Sequence, residues 1–450
     1  MMKDVFQYIE AHQYQYIEWL KKACNQPSVS ATGEGMTEMK DVVIYFLKQI
    51  GASIEVIDTD GYPIIYAEIQ RGKSKTLTFY NHYDVQPPDP VEAWETNPFI
   101  TVERENRLVA RGIADNKGNL IARICAVHAY MQVFGEELPI NLKFIIEGEE
   151  EVGSPHLPQF AELHPEKLRT DAMIWEGGTR NVHDKRPHIS FGVKGICYVE
   201  MLVRGAASDL HSSEGVIIEN PAWRLIWALN TIKDKDENIL IKGFYDDIIP
   251  LTEKEENFLK TMDYDEEYIK QTYKINQFLN EKTGISLRKK LIFKPACTIC
   301  GIESGFTDEG VKTVLPSKAR VKLDFRLVRG QSPEKIIDLL RAHLDTHGFG
   351  DIEVNQLAGL QPFKTDPENP LIDTVIQSVK QVYKEEPIIL PNLAGSSPMD
   401  KLLKNTKIPT VQIGVANTES NFHAPNENIF IDDFMDGIKV IANTIANFNK

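Results

Sequence analysis

The sequence predicts an α/β protein in which a mixed sheet is covered by helices on both faces and a second, α+β unit is inserted. Three observations predict it. Short apolar runs alternate with helical patterns from residue 53 to 175 and again after 370, the order that lays helices against a sheet. The polar motifs gather at the ends of apolar strands, which is where open α/β sheets hold their ligands. Near residue 188 the pattern changes to longer alternating strands, and Pro362 and Pro370 mark its return.

In chain order, residues 4–23 read as an amphipathic helix with Tyr8, Ile9, Tyr16, Ile17 and Leu20 inward, ended by Pro27. A helix over 36–50 closes at Gly51, and strands follow at 53–57, 64–69 and 76–80. A helix over 117–134 leads into strand 140–147, and strand 171–175 precedes Glu176. The inserted unit begins with a strand from Gly195 to Ala206 and a helix opening near Pro221 that carries Trp223 and Trp227. The tract from 233 to 290 is rich in charge and helix formers, and its Glu/Lys run at 253–260 reads as a solvated helix face. Strands near 297–303 and 311–327, a helix from Ser332 to His347 and a strand at 352–357 complete the unit. A helix at 371–384, a strand at 409–414 and a last helix from Ile431 belong to the first domain. The expected organisation is therefore a discontinuous domain of residues 1–190 and 360–450, and an inserted domain of 191–359 with a helical addition near 240–290.

With 450 residues and 42% hydrophobic content the chain can bury a large core and build more than one domain. The net charge of −15 argues against a nucleic-acid surface. Five scattered cysteines point to a reducing compartment. Cys297 and Cys300 have zinc-knuckle spacing without a second pair, and they lie in an alternating stretch that reads as a strand. No run approaches the 18 apolar residues of a membrane span, and the N-terminus lacks a signal-peptide pattern, so a cytoplasmic protein is expected.

The chemistry gathers in four stretches. Strand Phe144–Glu147 ends in Gly148-Glu149-Glu150-Glu151, and buried carboxylates cost several kcal/mol each unless a cation neutralises them. No Lys or Arg lies between Phe144 and Glu166 to do so. An apolar strand runs into His82-Tyr83-Asp84 before Pro87 and Pro88; side chains two apart share a face, so Asp84 can orient the His82 ring. Asp115 sits in a Gly-flanked turn ahead of a helix, where a helix cap is the plainer role. His423 lies in Asn421-Phe422-His423-Ala424-Pro425-Asn426-Glu427, a loop before the last helix.

This ordered set, together with Trp175-Glu176-Gly177-Gly178, resembles the M20 metallopeptidases, and within them the carnosinase-like and cytosolic nonspecific dipeptidases. The likeness extends through Gly192-Val193-Lys194-Gly195, Asp209-Leu210-His211-Ser212, Gly243-Phe244-Tyr245-Asp246-Asp247, Lys312-Thr313-Val314-Leu315-Pro316 and Arg326-Leu327-Val328. The resemblance implies two divalent ions per subunit, with His82 and Glu176 on one, Glu150 and His423 on the other, and Asp115 bridging. Carboxylates with two imidazoles suit zinc first, then manganese or cobalt, better than magnesium or calcium. Ions about 3.5–4 Å apart can share a water and lower its pKa. Glu149 is then the expected general base, with Asp84 supporting His82. The resemblance makes the inserted domain a ferredoxin-like lid and dimer interface. It gives His211 an oxyanion-donor role, supplied across subunits in dimeric relatives, and gives Arg326 the substrate's terminal carboxylate. A guanidinium there could equally pair with Asp324 two residues away. Gly395 and Ser396 match a substrate-touching loop, chiefly through the backbone.

Two departures bear on metal preference and on substrate range respectively. Glu176 stands where many dipeptidases carry Asp, and the stretch after His211 lacks a Gly-Gly pair found in closer carnosinase relatives. The expected activity is hydrolysis of dipeptides or very short peptides with a free C-terminal carboxylate, in a homodimer that engages neither nucleic acid nor membrane. The alternatives are an N-acyl-amino-acid amidohydrolase and, remotely, a non-catalytic binding protein of the same fold.

Overall fold

The computed structural model describes residues 2–449 apart from Asp263, Lys384 and Asn405. Its contacts divide into two compact units, one of Met1–Phe191, Thr365–Pro391 and Lys401–Lys450, the other of Gly192–Lys364 and Asn392–Asp400.

The first unit is built on an eight-stranded mixed sheet. Its centre comprises four neighbouring parallel strands, Asn141–Glu147, Thr76–His82, Ala172–Trp175 and Thr410–Gln412, flanked by antiparallel pairings at Ile64–Ile69 and His188–Ser190. Every residue of Asn141–Glu147 is buried. Because alternate strand residues face opposite sides, continuous burial means that both faces are covered. Helices Lys117–Phe134 and Ile431–Phe448 pack on each other, and Met2–Ala11 packs on both. The expected single helix over 4–23 is broken into Met2–Ala11 and Gln13–Cys24. At the break the His12 ring stacks on Tyr8, and the Tyr8 carbonyl oxygen lies 2.8 Å from His12 Nδ1 while still accepting from His12 N at 3.1 Å.

The second unit is a four-stranded antiparallel sheet in the order Ala296–Ser304, Lys318–Leu327, Gly195–Arg204, Glu353–Leu360. Helices Pro221–Ile232 and Pro333–Thr346 pack against it, giving the βαββαβ order of a ferredoxin-like fold. Gly195–Arg204 alternates between buried and half-buried residues, and the buried face joins Leu225, Ala228, Ile337 and Leu340 in one core. The helical addition comprises Glu253–Thr261, Glu266–Tyr273 and Gly284–Phe293. The expected strand over 311–327 is two, Val314–Leu315 and Lys318–Leu327, since Pro316 has no N–H to give a ladder. Val314 pairs with His211, so this break seats the histidine. Cys297 is buried and Cys300 exposed on one strand, and all five cysteines are free. The segment Asn392–Asp400 groups with this unit because Leu393 N donates to Gly192 O, Lys194 N to Gly395 O and Asn392 Nδ2 to Ile292 O.

Candidate functional site

The C-terminal ends of the four parallel strands bring the first unit's polar motifs together. His82 closes its own strand in register with Glu147. Glu150 and Glu151 stand on the 3₁₀ turn Glu150–Val152, Glu176 follows Trp175, and Asp115 precedes helix Lys117–Phe134. Gly148 makes the tight exit possible, because a Cβ there would lie 2.4 Å from the Tyr83 ring.

Asp115 is the hub of the cluster. Its Oδ1 lies 3.2 Å from His82 Nε2, and its Oδ2 lies 3.0 Å from His423 Nε2. His423 Nε2 is also 3.2 Å from Glu151 Oε2. Ligand atoms of His82, Asp115 and Glu151 all fall within 4.8 Å of one another. Glu176 accepts from Asn116 Nδ2 at 3.2 Å and from Trp175 Nε1 at 3.1 Å, which aims its carboxylate. Asp84 supports this group from behind. Its Oδ1 is 3.3 Å from His82 Nδ1, and its two oxygens accept the amides of Glu150 and Glu151 at 3.3 and 3.0 Å.

The electrostatics are those of acids short of positive charge. Burial pushes Glu176 up to about 7 and Glu150 well above the usual carboxylate range, and neighbouring Asp115 and Glu151 push in the same direction. His423, bonded to Asp115 and Glu151, is raised to about 10. Burial lowers His82, but Asp115 and Asp84 outweigh it and hold the imidazole well above its ordinary value. Oxygen and imidazole donors that hold protons in this way are the donors a divalent ion would take over, so the residues present fit a metal centre.

The structure gives the three carboxylates of the Glu run different neighbours. Glu149 turns away to His156, whose Nδ1 lies 2.8 and 3.1 Å from its two oxygens. The carboxylate beside His423 is that of Glu151, and Glu150 is the one that feels His82, Glu176, Asp115 and Glu151 together. The strand has ended by Gly148, so period-2 counting no longer says which of three successive side chains faces inward, and the 3₁₀ turn decides it. The run itself was the only signal that Glu151 takes part. Sequence reasoning also gave no role to Glu427 or to Gln86, whose Nε2 donates to Glu151 Oε2 at 3.0 Å.

The remaining expected site residues lie in the second unit. Arg326 is half-buried; its Nε donates to Asp324 Oδ2 at 2.9 Å and its Nη1 to Ser396 Oγ at 3.1 Å. The hydroxyl of Ser396 therefore has work of its own, while Gly395 acts through its carbonyl, which accepts from Lys194 N at 2.9 Å. His211 is exposed. Its Nδ1 accepts from Ser213 N at 3.2 Å, which leaves the proton on Nε2, 3.3 Å from Thr313 Oγ1.

Asp84 provides a direct test of the cluster. Asp84→Asn is expected to weaken metal affinity by about 10- to 100-fold, because its amide cannot reproduce the contacts to both the imidazole and the glutamate loop. Competition with a chromogenic zinc chelator measures this, and wild-type affinity in that variant would contradict the supporting role.

Residues 78–447 match the description of peptidase family M20/M25/M40. The chain is 29% identical to human Beta-Ala-His dipeptidase over 98% of its own length and 92% of that protein's. Among solved structures it resembles the M20 family metallo-carboxypeptidase Sso-CP2 from Sulfolobus solfataricus, with a TM-score of 0.88 and 38% identity over 97% of this chain and 98% of that one. It also resembles the di-peptidase Dug1p from Saccharomyces cerevisiae, with a TM-score of 0.83 and 26% identity over 100% and 98% of the two chains. A match over most of the length, carried by a chain whose histidines and carboxylates converge on Asp115, has one reading: this protein belongs to peptidase family M20/M25/M40.

Proposed function

We propose that this protein is a metal-dependent dipeptidase that hydrolyses dipeptides or very short peptides bearing a free C-terminal carboxylate. The observation that carries the reading is the Asp115 carboxylate, which turns one oxygen to each of two imidazoles, 3.2 Å from His82 and 3.0 Å from His423. Among carboxylate geometries this is the one that can bridge two ions. His82 and Glu176 would hold one, Glu151 and His423 the other, and Asp115 both. The mixed oxygen and imidazole donors favour zinc, with manganese or cobalt as substitutes. Two such ions, when bound, polarise the scissile carbonyl and lower the pKa of the attacking water.

The chain's own residues do the rest. Glu150 takes the proton from the attacking water and returns it to the departing amine. Arg326, held by Asp324 and Ser396, offers a planar fork to the substrate's carboxylate. His211, with its proton on Nε2, is a ready donor to the developing oxyanion. Two features favour a homodimer through the second unit: Trp223 and Trp227, 55% and 52% exposed on helix Pro221–Ile232, and the exposed Ile299 and Ile302 on edge strand Ala296–Ser304. Sedimentation showing a monomer at micromolar concentration would overturn that assignment. The five free thiols favour a cytoplasmic setting, which cell fractionation tests.

The likeness to the metallo-carboxypeptidase Sso-CP2 favours a second reading, in which a C-terminal residue is removed from longer chains. Both readings are tested by one substrate panel on metal-reconstituted protein: free dipeptides, their N-acetylated and C-amidated forms, and longer peptides. A dipeptidase loses activity on either modification. A carboxypeptidase tolerates acetylation and length but not amidation. Equal rates on amidated and free substrates would sink both. Arg326→Met is expected to lower kcat/KM about 10- to 100-fold on free carboxylates, chiefly through KM, and to leave any residual rate on amides unchanged.

A further inference from the structure

Glu427 lies four residues beyond His423 and is buried with 1% of its surface exposed. Its carboxylate collects four donors. Oε2 accepts from Gly112 N at 2.9 Å and from Arg111 Nη1 at 2.8 Å, and Oε1 accepts from Ala114 N at 2.8 Å and Asp115 N at 3.0 Å. Three amides of one five-residue turn thus converge on a single side chain, the arrangement by which backbone N–H groups hold an anion. The turn is shaped for it: Gly112 has φ +81°, and a Cβ there would lie 2.5 Å from Val85 Cγ1. Ala110 N donates to the carbonyl oxygen of Glu427 at 3.0 Å, so main chain and side chain grip the same loop. Arg111 extends the grip, since its Nη2 donates to Pro87 O at 3.3 Å, in the segment that follows Asp84.

The sequence separates the Glu427 loop from the other two by more than 300 positions, yet one buried ion pair joins the loops that carry Asp84, Asp115 and His423. We infer that Glu427 is a positioning residue for the metal centre: its carboxylate fixes the Asp115 turn through three amides and couples it to the His423 loop, so that Asp115 faces both imidazoles. The inference rests on the metal-centre reading above. A carboxylate can accept from all four donors, whereas an amide must turn its NH₂ toward N–H groups. Glu427→Gln therefore breaks the cradle at nearly constant volume.

The experiment compares zinc affinity, by competition with a chromogenic chelator, in wild type, Glu427→Gln and Asp115→Asn, all well below their melting temperatures. Glu427→Gln is expected to bind zinc about 10- to 100-fold more weakly and to recover activity at raised zinc with KM for peptide unchanged. A residue that only stabilises the fold would lower the melting temperature and leave zinc affinity alone, and that result in a folded Glu427→Gln overturns the inference. If Asp115→Asn itself keeps wild-type affinity, the metal-centre reading fails instead. Should Glu427→Gln not fold, hydrogen exchange on the wild-type protein decides. With and without zinc, the amides of Gly112, Ala114 and Asp115 are expected to be protected, and exchange at the rate of a free loop overturns the cradle.

Discussion

Glu150→Gln is expected to lower kcat by about 10²- to 10⁴-fold while both metal ions stay bound, the loss that follows when a general base is removed. The paired variant Glu149→Gln is expected to keep most of the wild-type rate, because Glu149 is spent on His156 and does not face the cluster. Steady-state kinetics with metal content measured on the same samples separates the two. If Glu149→Gln loses turnover with its ions in place and Glu150→Gln does not, the base is the first glutamate of the run and the assignment made from geometry is wrong. Loss of metal from Glu150→Gln would make that residue a ligand rather than a base.

Asp115→Ala is expected to have the broader effect. It removes the carboxylate shared by both imidazoles, so both ions are lost together. Each ion supplies several kcal/mol of charge stabilisation, and 1.36 kcal/mol is a factor of ten, so kcat/KM should fall by about three decades or more. Thermal unfolding shows the same loss without a substrate. Zinc at about 100 times its Kd stabilises a binding protein by about 2.7 kcal/mol, and this shift should be absent in the variant. The pH dependence carries a sign. The raised values of Glu176, about 7 against an ordinary 4.5, and of His423, about 10 against 6.5, mean that the folded metal-free site holds protons the unfolded chain has released. These two groups therefore favour the folded metal-free protein less as pH rises from about 4.5 to about 10, while Lys364, Lys117 and Lys194, lowered by burial to about 7, 8 and 8, act in the opposite sense. Zinc binding has the opposite sign, since the ligands must give up those protons, and affinity should fall as pH drops through about 7. The stability of metal-free Glu176→Gln relative to wild type should rise with pH between about 4.5 and 7, and no such rise would contradict the charge-starved cluster.

What could be read from residues alone was whatever depends on local order. Period-2 and helical patterning located the parallel strands and the helices on them, because burial on a regular element repeats at the element's own spacing. Residue type identified a metal chemistry, because adjoining carboxylates with histidines have few other uses in a core. The stretches carrying His82, Asp84, Asp115 and His423 were singled out in this way, Glu176 came only with the resemblance to the M20 metallopeptidases, and the structure gathers them at the strand ends. Where regular spacing stops, so did the reading. A break at His12 divided one helix, Pro316 split a strand, and the turn after Gly148 chose among three identical glutamates. Glu427 was silent for a further reason: its role exists only once residues 315 positions apart meet around one carboxylate. The sequence by itself determined the kinds of element, their order and the family of chemistry, since these follow from composition and short-range periodicity. Tertiary structure alone decided which carboxylate faces which imidazole, because that depends on distances between loops whose packing no local pattern encodes.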